Sequence, residues 1–415
     1  MKILASETAH LLRRPTPSAL DRDPPLPPSR RLPTAFLLRS LGGLLCAALA
    51  TACSEGTAPK SSAPVTWASL TAGGGHHTCG LTSGGAAYCW GWNNLGQLGD
   101  GSTTERWMPV TVAGGVTLAS VTAGGFHTCG LTGAGAAYCW GSSVEGELGD
   151  GSTTYSTTPV AVVGGLTFTS LRAGQSHTCG LTSGGAAYCW GWNNVGQLGR
   201  GDTLGAATPV PVVGGLTFTS LTPGGSHTCG LTNGGAAYCW GDNSDGRLGR
   251  GDTLQATTPV AVVGGLTFAS LTAGGFHTCG VTSGGAAYCW GENGTGQLGD
   301  GSTTQRTTPA AVAGGLTFMS LTAGSGHTCG LTSGGAAYCW GENFQGQLGD
   351  GSTNQRLSPT AVAGGLTFVS LTAGSDHTCG LTSNGAAYCW GDNFDGELGD
   401  GSTNIRTTPV AVATP

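Results

Sequence analysis

Charge is what this chain of 415 residues has least of: Asp, Glu, Lys and Arg together make up only 9 % of it. No lysine follows Lys60. Seven of the 16 basic and three of the 22 acidic residues precede Cys53, which leaves nine against nineteen beyond it, a net of −10. Such a surface has no basic footprint for nucleic acid or an anionic membrane. The 78 glycines follow no Gly-X-Y period, which excludes collagen, and the low charge argues against a disordered chain. No Ser/His/Asp order, catalytic carboxylate pair or phosphate loop stands apart from the background, so no enzyme is expected and no cofactor or metal is implied.

What is present is repetition. One unit of 50 residues recurs seven times, each copy carrying HTCG-L/V-T and then AAYCWG. One cysteine series runs Cys79, Cys129, Cys179, Cys229, Cys279, Cys329, Cys379; the other runs Cys89, Cys139, Cys189, Cys239, Cys289, Cys339, Cys389. A fixed period in this range marks a repeat architecture, with one unit read as a blade. In the first unit four short strands are expected: Trp67 to Thr71, His77 to Thr82, Ala86 to Trp90 and Pro109 to Val112. The first is matched later by segments such as Leu166 to Leu171. That is the strand content of one propeller blade. Proline at the head of the fourth strand (Pro109, Pro159, Pro209) suits an outer edge, because it cannot donate to a central ladder.

The middle hairpin is the best-defined piece. Ser83-Gly84-Gly85 is a three-residue loop whose last place needs a left-handed backbone, and glycine fills that place in all seven copies. The loop sets a register in which Leu81 faces Ala87 and Cys79 faces Cys89. Directly opposed residues lie about 4.5 Å apart at Cα, near the short end of disulfide geometry. A disulfide in every blade is the first reading. Free thiols packed as small hydrophobes, or a metal site completed by His77, are the alternatives.

Residues 1–52 stand outside the repeat. Arg30 and Arg31 precede an apolar stretch from Ala35 to Ala52 ending in Leu49-Ala50-Thr51-Ala52-Cys53, which reads as a secretory signal rather than a membrane span. It resembles a bacterial lipoprotein signal, and that resemblance implies a lipid on Cys53 as the mature N-terminus; a soluble secreted protein cut after Ala52 is the alternative. A polar linker (53–65) then leads to a single propeller domain (66–415). The expected location is the bacterial cell envelope, with the membrane met only through the lipid, and the expected state is a monomer. An oxidising compartment favours the disulfides.

The string GxxHTCxLTxxGxxYCWGxNxxGQLGxG, seen from Gly74 through Tyr88-Cys89-Trp90-Gly91 to Gly99, resembles the repeat named for the regulator of chromosome condensation. The resemblance covers all seven units and implies a seven-bladed, all-β propeller whose closure brings Val65–Leu70 near Pro409–Val412. Family roles transfer poorly, since one fold hosts many functions. The nucleotide-exchange relative carries an inserted wedge and a basic tail not seen here. The light receptor's tryptophans are replaced by Gly75, Gly125, Gln175, Gly225, Gly275, Ser325 and Ser375. The secreted bacterial branch, with its inhibitor of β-lactamases that binds through blade ends, is the nearer parallel.

The repeated His77 series is expected to fix the neighbouring turn of its own blade, and Tyr88-Cys89-Trp90 to pack in the core. Asp and Asn of GDGST and DNxDG read as turn formers, since a calcium loop's spacing and terminal Glu are missing. Function is expected where the copies disagree. Candidate binding residues are Trp92, Trp107, Phe126, Tyr155 and Trp192 in the first blades, Phe276 in the fifth, and Phe344, Asp376, Asp392, Phe394 and Asp395 in the last two. Exposed aromatics flanked by carboxylates suit an unknown protein or a surface polymer. Two other readings stay open: an envelope polysaccharide hydrolase or lyase using Asp392, Asp395 and Glu397, and an envelope spacer with no specific ligand.

Overall fold

The computed structural model describes residues 65–415; the signal segment, Cys53 and the linker up to residue 64 lie outside the described residues. The first repeat forms β1 (Trp67–Ala72), β2 (His77–Thr82), β3 (Ala87–Gly91) and β4 (Arg106–Thr111), an antiparallel sheet in that order. Six further four-stranded sheets repeat it, and no helix occurs among the described residues. The first strands pack against one another around the axis, where Ala72, Ala123, Ala173 and the glycines after them line the opening.

The hairpin register is the expected one: His77 faces Gly91, Cys79 faces Cys89 and Leu81 faces Ala87. Gly85 takes φ +80° and closes the turn, with the Thr82 nitrogen donating to the Ala86 carbonyl at 3.0 Å. All seven cysteine pairs are disulfides, with Cα atoms 4.0–4.1 Å apart. The thiol and metal readings therefore fall.

Two strand expectations need correction. In later repeats the first strand runs Ser170–Ala173, not Leu166 to Leu171. Phe168 instead turns inward and fills the space beneath Gly180, as Trp67 does beneath Gly80. The apolar run is a core plug rather than ladder. The fourth strand begins at Arg106, so Pro109 sits inside it, at an irregularity between Cys89 and Gly91 of the partner. A bulge on an edge strand tolerates proline as well as a strand end does.

Each hydrophobic core is shared by two blades. Cys79, Leu81, Ala87, Cys89 and Leu98 of the first meet Leu118 and the fully buried Trp140 of the second. Gly99 lets that indole in: it has φ +70°, and a Cβ there would lie 2.6 Å from Trp140 Nε1. The ring closes in the same way without strand exchange. Trp67 and Trp90 pack with Leu381 and Ala387, flanked by Val65, Leu70 and Val412, and the Trp67 nitrogen donates to the Gly385 carbonyl at 2.9 Å.

The repeat histidines direct Nε2 to the next blade rather than to the turn of their own. His77 Nε2 lies 2.8 Å from Thr128 Oγ1 of the next blade, and Thr128 Oγ1 donates to the Gln97 carbonyl at 2.8 Å. Trp140 Nε1 donates to that same carbonyl at 3.0 Å. Because the threonine proton is spent on the carbonyl, Nε2 must be the donor, which makes the Nε2–H form the tautomer of the neutral ring. The set recurs at every seam, and at closure it is His377, Thr78, Trp90 and the Glu397 carbonyl. Burial pushes the imidazoles far down, to about 3 for His77, His127, His177, His277 and His377.

Candidate binding face

The ring has two unlike ends. At the hairpin end, the turns 83–85 and 114–119 and all their copies contain no Asp, Glu, Lys or Arg. Every Asp and Glu of the described chain lies in the turn before a second strand or in the loop between third and fourth strands.

The variable positions converge on the other end because the backbone ties them together. The nitrogen of the residue after CWG donates to the carbonyl of the residue before the repeat His in all seven blades, from Trp92 to His76 (2.9 Å) through Asp392 to Asp376 (2.9 Å). Trp92 also meets Phe126 of the next blade edge-on at 5.6 Å between centroids. Trp192 borders a depression with Glu145, Gln175 and Ser226, and Phe276 borders another with Glu292 and Glu342. Phe344 and Phe394 are the most exposed aromatics, at 62 % and 63 %.

Trp107 and Tyr155 sit on the outer rim, in or just before fourth strands, both about half exposed. Trp107 lies against Gly396 of blade seven, away from Trp92. The GDGST loops are turns: Asp100 Oδ1 accepts from Ser102 nitrogen and hydroxyl, and Arg106 pairs with Asp100 Oδ2 at 2.8 Å. Although burial opposes it, the Ser102 and Arg106 hydrogen bonds hold Asp100 below the usual carboxylate range.

The seam between blades seven and one differs from the other six. His76 Nδ1 lies 3.2 Å from Glu397 Oε1 and 3.5 Å from Asp392 Oδ2. Hydrogen bonds to Asp392 and then Glu397 push His76 up to about 10. Burial raises Glu397 and Asp376 above the usual range, whereas the His76 bond, against burial, holds Asp392 below it. The three carboxylates singled out in the sequence are thus brought together. His76 is not among the residues that the sequence singles out. Its signal was a count: Ser69 to Ser120 is 51 residues while Cys79 to Cys129 is 50, so the first blade has one extra residue in this turn. That insertion gives His76 φ +62°, the sole positive φ outside glycine among the described residues.

A model of the RCC1-like domain matches residues 115–415, and two models of the regulator of chromosome condensation (RCC1) repeat match 84–131 and 68–97. The chain belongs to the RCC1-like domain family. The RCC1-like ring is similar to that of Prp20p from Saccharomyces cerevisiae, at 24 % identity, TM-score 0.71, and coverage of 80 % of this chain and 87 % of that one. It is also similar to human WBSCR16 at 21 % identity, TM-score 0.73, and 80 % and 95 % coverage. The ectodomain of the Arabidopsis thaliana receptor kinase ACR4 aligns at 20 % identity, TM-score 0.52, and 84 % and 99 % coverage. These likenesses carry the RCC1-like fold alone. None of the curated proteins compared with it matches the chain.

Proposed function

We propose that this RCC1-like propeller is an exported, lipid-anchored scaffold that binds another protein through its variable end and performs no catalysis. The observation that carries this reading is the segregation of sequence variation. Part-buried Trp92, Phe126 and Trp192 and exposed Phe276, Phe344 and Phe394 share one end, interleaved with carboxylates, and the hairpin turns carry no exposed aromatic and no carboxylate. Large aromatics with polar neighbours are what protein interfaces concentrate. Prp20p, a structural neighbour, was studied for its binding to Gsp1p and histones, and was crystallised bound to Kap60. Seven buried disulfides favour an oxidising compartment. The chain enters the ring at the hairpin end, where Trp67 bonds Gly385.

The enzyme reading gains the gathered carboxylates but loses access, because the Glu397 side chain is fully buried and faces His76. Cross-linking pull-down with the wild type and with Trp92, Phe126 and Trp192 all changed to Ala tests the proposal. A partner recovered by both equally would sink this face. Metabolic labelling with a fatty acid, lost in Cys53→Ser, tests the anchor. A glycan cleaved by the wild type and not by Asp395→Asn would instead establish the hydrolase or lyase.

A further inference from the structure

We propose that the seam between blades seven and one binds one divalent transition-metal ion, of which Zn2+ is the type, through His76 Nδ1, Glu397 and Asp395, with Asp392 beside them. The ligand atoms of His76, Asp395 and Glu397 all lie within 4.8 Å of one another. Two of the pair distances also suit a shared ion. Donors at about 2.0–2.2 Å from a tetrahedral ion stand about 3.3–3.6 Å from each other. His76 Nδ1 lies 3.2 Å from Glu397 Oε1 and 3.5 Å from Asp392 Oδ2. The imidazole is 36 % exposed, which leaves an entry path.

A second blade supplies the control. Blade four has the same aspartate pair, Asp242 and Asp245, and there the chain brings its own cation: the buried Arg247 bonds Asp245 and lies 3.2 Å from Asp242. At the place of Arg247, blade seven has Glu397, which adds a carboxylate to Asp392 and Asp395 instead of neutralising them. The His76 imidazole is the group that Glu397 and Asp392 face there. Its nitrogen, the carboxylate oxygens and the partial burial suit a first-row transition ion better than Ca2+, which takes oxygen ligands only. Bound there, the ion would bridge the first and last blades at the point where the ring closes.

The test is isothermal titration of Zn2+ into the untagged, oxidised full chain, with thermal unfolding in parallel. Two variants are chosen to protect folding. Glu397→Gln copies Gln97, Gln197, Gln297 and Gln347, and His76→Gly suits the left-handed backbone at that place. The expected result is one ion per chain at a Kd of about 10 µM or tighter. It should be accompanied by a rise in Tm and weakened at least about tenfold in both variants. No saturable binding by the wild type, or undiminished binding by either folded variant, would overturn the proposal. The second outcome would place the ion elsewhere.

Discussion

The variable end and the hairpin end of this ring are made by the same strands, yet one differs from blade to blade and the other hardly changes. The hairpin turn is Thr-x-x-Gly-Ala in every copy, because its last position needs a left-handed backbone and its neighbours close against Ala86 and its equivalents. At the other end the seam is held by a backbone carbonyl, a threonine, a histidine and a tryptophan, all buried. Side chains just outside that group leave the seam and are free to differ. Uniformity therefore marks what blade stacking requires, and variation marks the surface left over.

The comparison can be broken hardest from its uniform side. The seven repeat histidines are neutral and buried, with His227 well below its ordinary value, His327 at about 4 and the other five at about 3. Their folded values lie below the unfolded value, so their contribution is whole above about pH 6.5 and is lost as pH falls toward about 3–4. Below pH 6.5 each histidine removes about 1.4 kcal/mol per pH unit, roughly 10 kcal/mol per unit for seven acting together. Circular dichroism should show cooperative unfolding well above pH 3, and an unchanged Tm between pH 7 and pH 4 would contradict the buried, neutral state of these histidines.

Next in size is one seam. Trp240→Ala removes a fully buried indole and its bond to the Gln197 carbonyl, and should cost about 3–5 kcal/mol in denaturant unfolding. Changing both Cys229 and Cys239 to Ala opens a short loop and should cost about 2–3 kcal/mol, since chain entropy grows slowly with loop length. The smallest stability change belongs to the variable end. Changing Trp92, Phe126 and Trp192 together to Ala should shift stability by less than Trp240→Ala does, while partner affinity falls at least about thirtyfold. Equal loss of stability in both would erase the distinction between scaffold and surface.

Much of this was legible in the sequence because short loops fix register. Ser83-Gly84-Gly85 alone determines which cysteines oppose, and the seven disulfides follow. Two things were not legible, for different reasons. The histidine ring's partner lies 51 residues away in the next blade, so no reading confined to one repeat can find it. Phe168 belongs to an apolar run that resembles a strand, and only the glycine opposite reveals that it plugs a core. The extra residue before His77 was countable, but the exact cysteine period hid it: the frame resumes at Cys79 as though nothing had been added.

At each seam the atom that accepts both the threonine and the indole is a main-chain oxygen. Position 97 and its copies accordingly read Gln, Glu, Gln, Arg, Gln, Gln and Glu without altering that joint. A lineage can thus change the charge between any two blades one codon at a time, keeping the ring shut while its outward chemistry diverges.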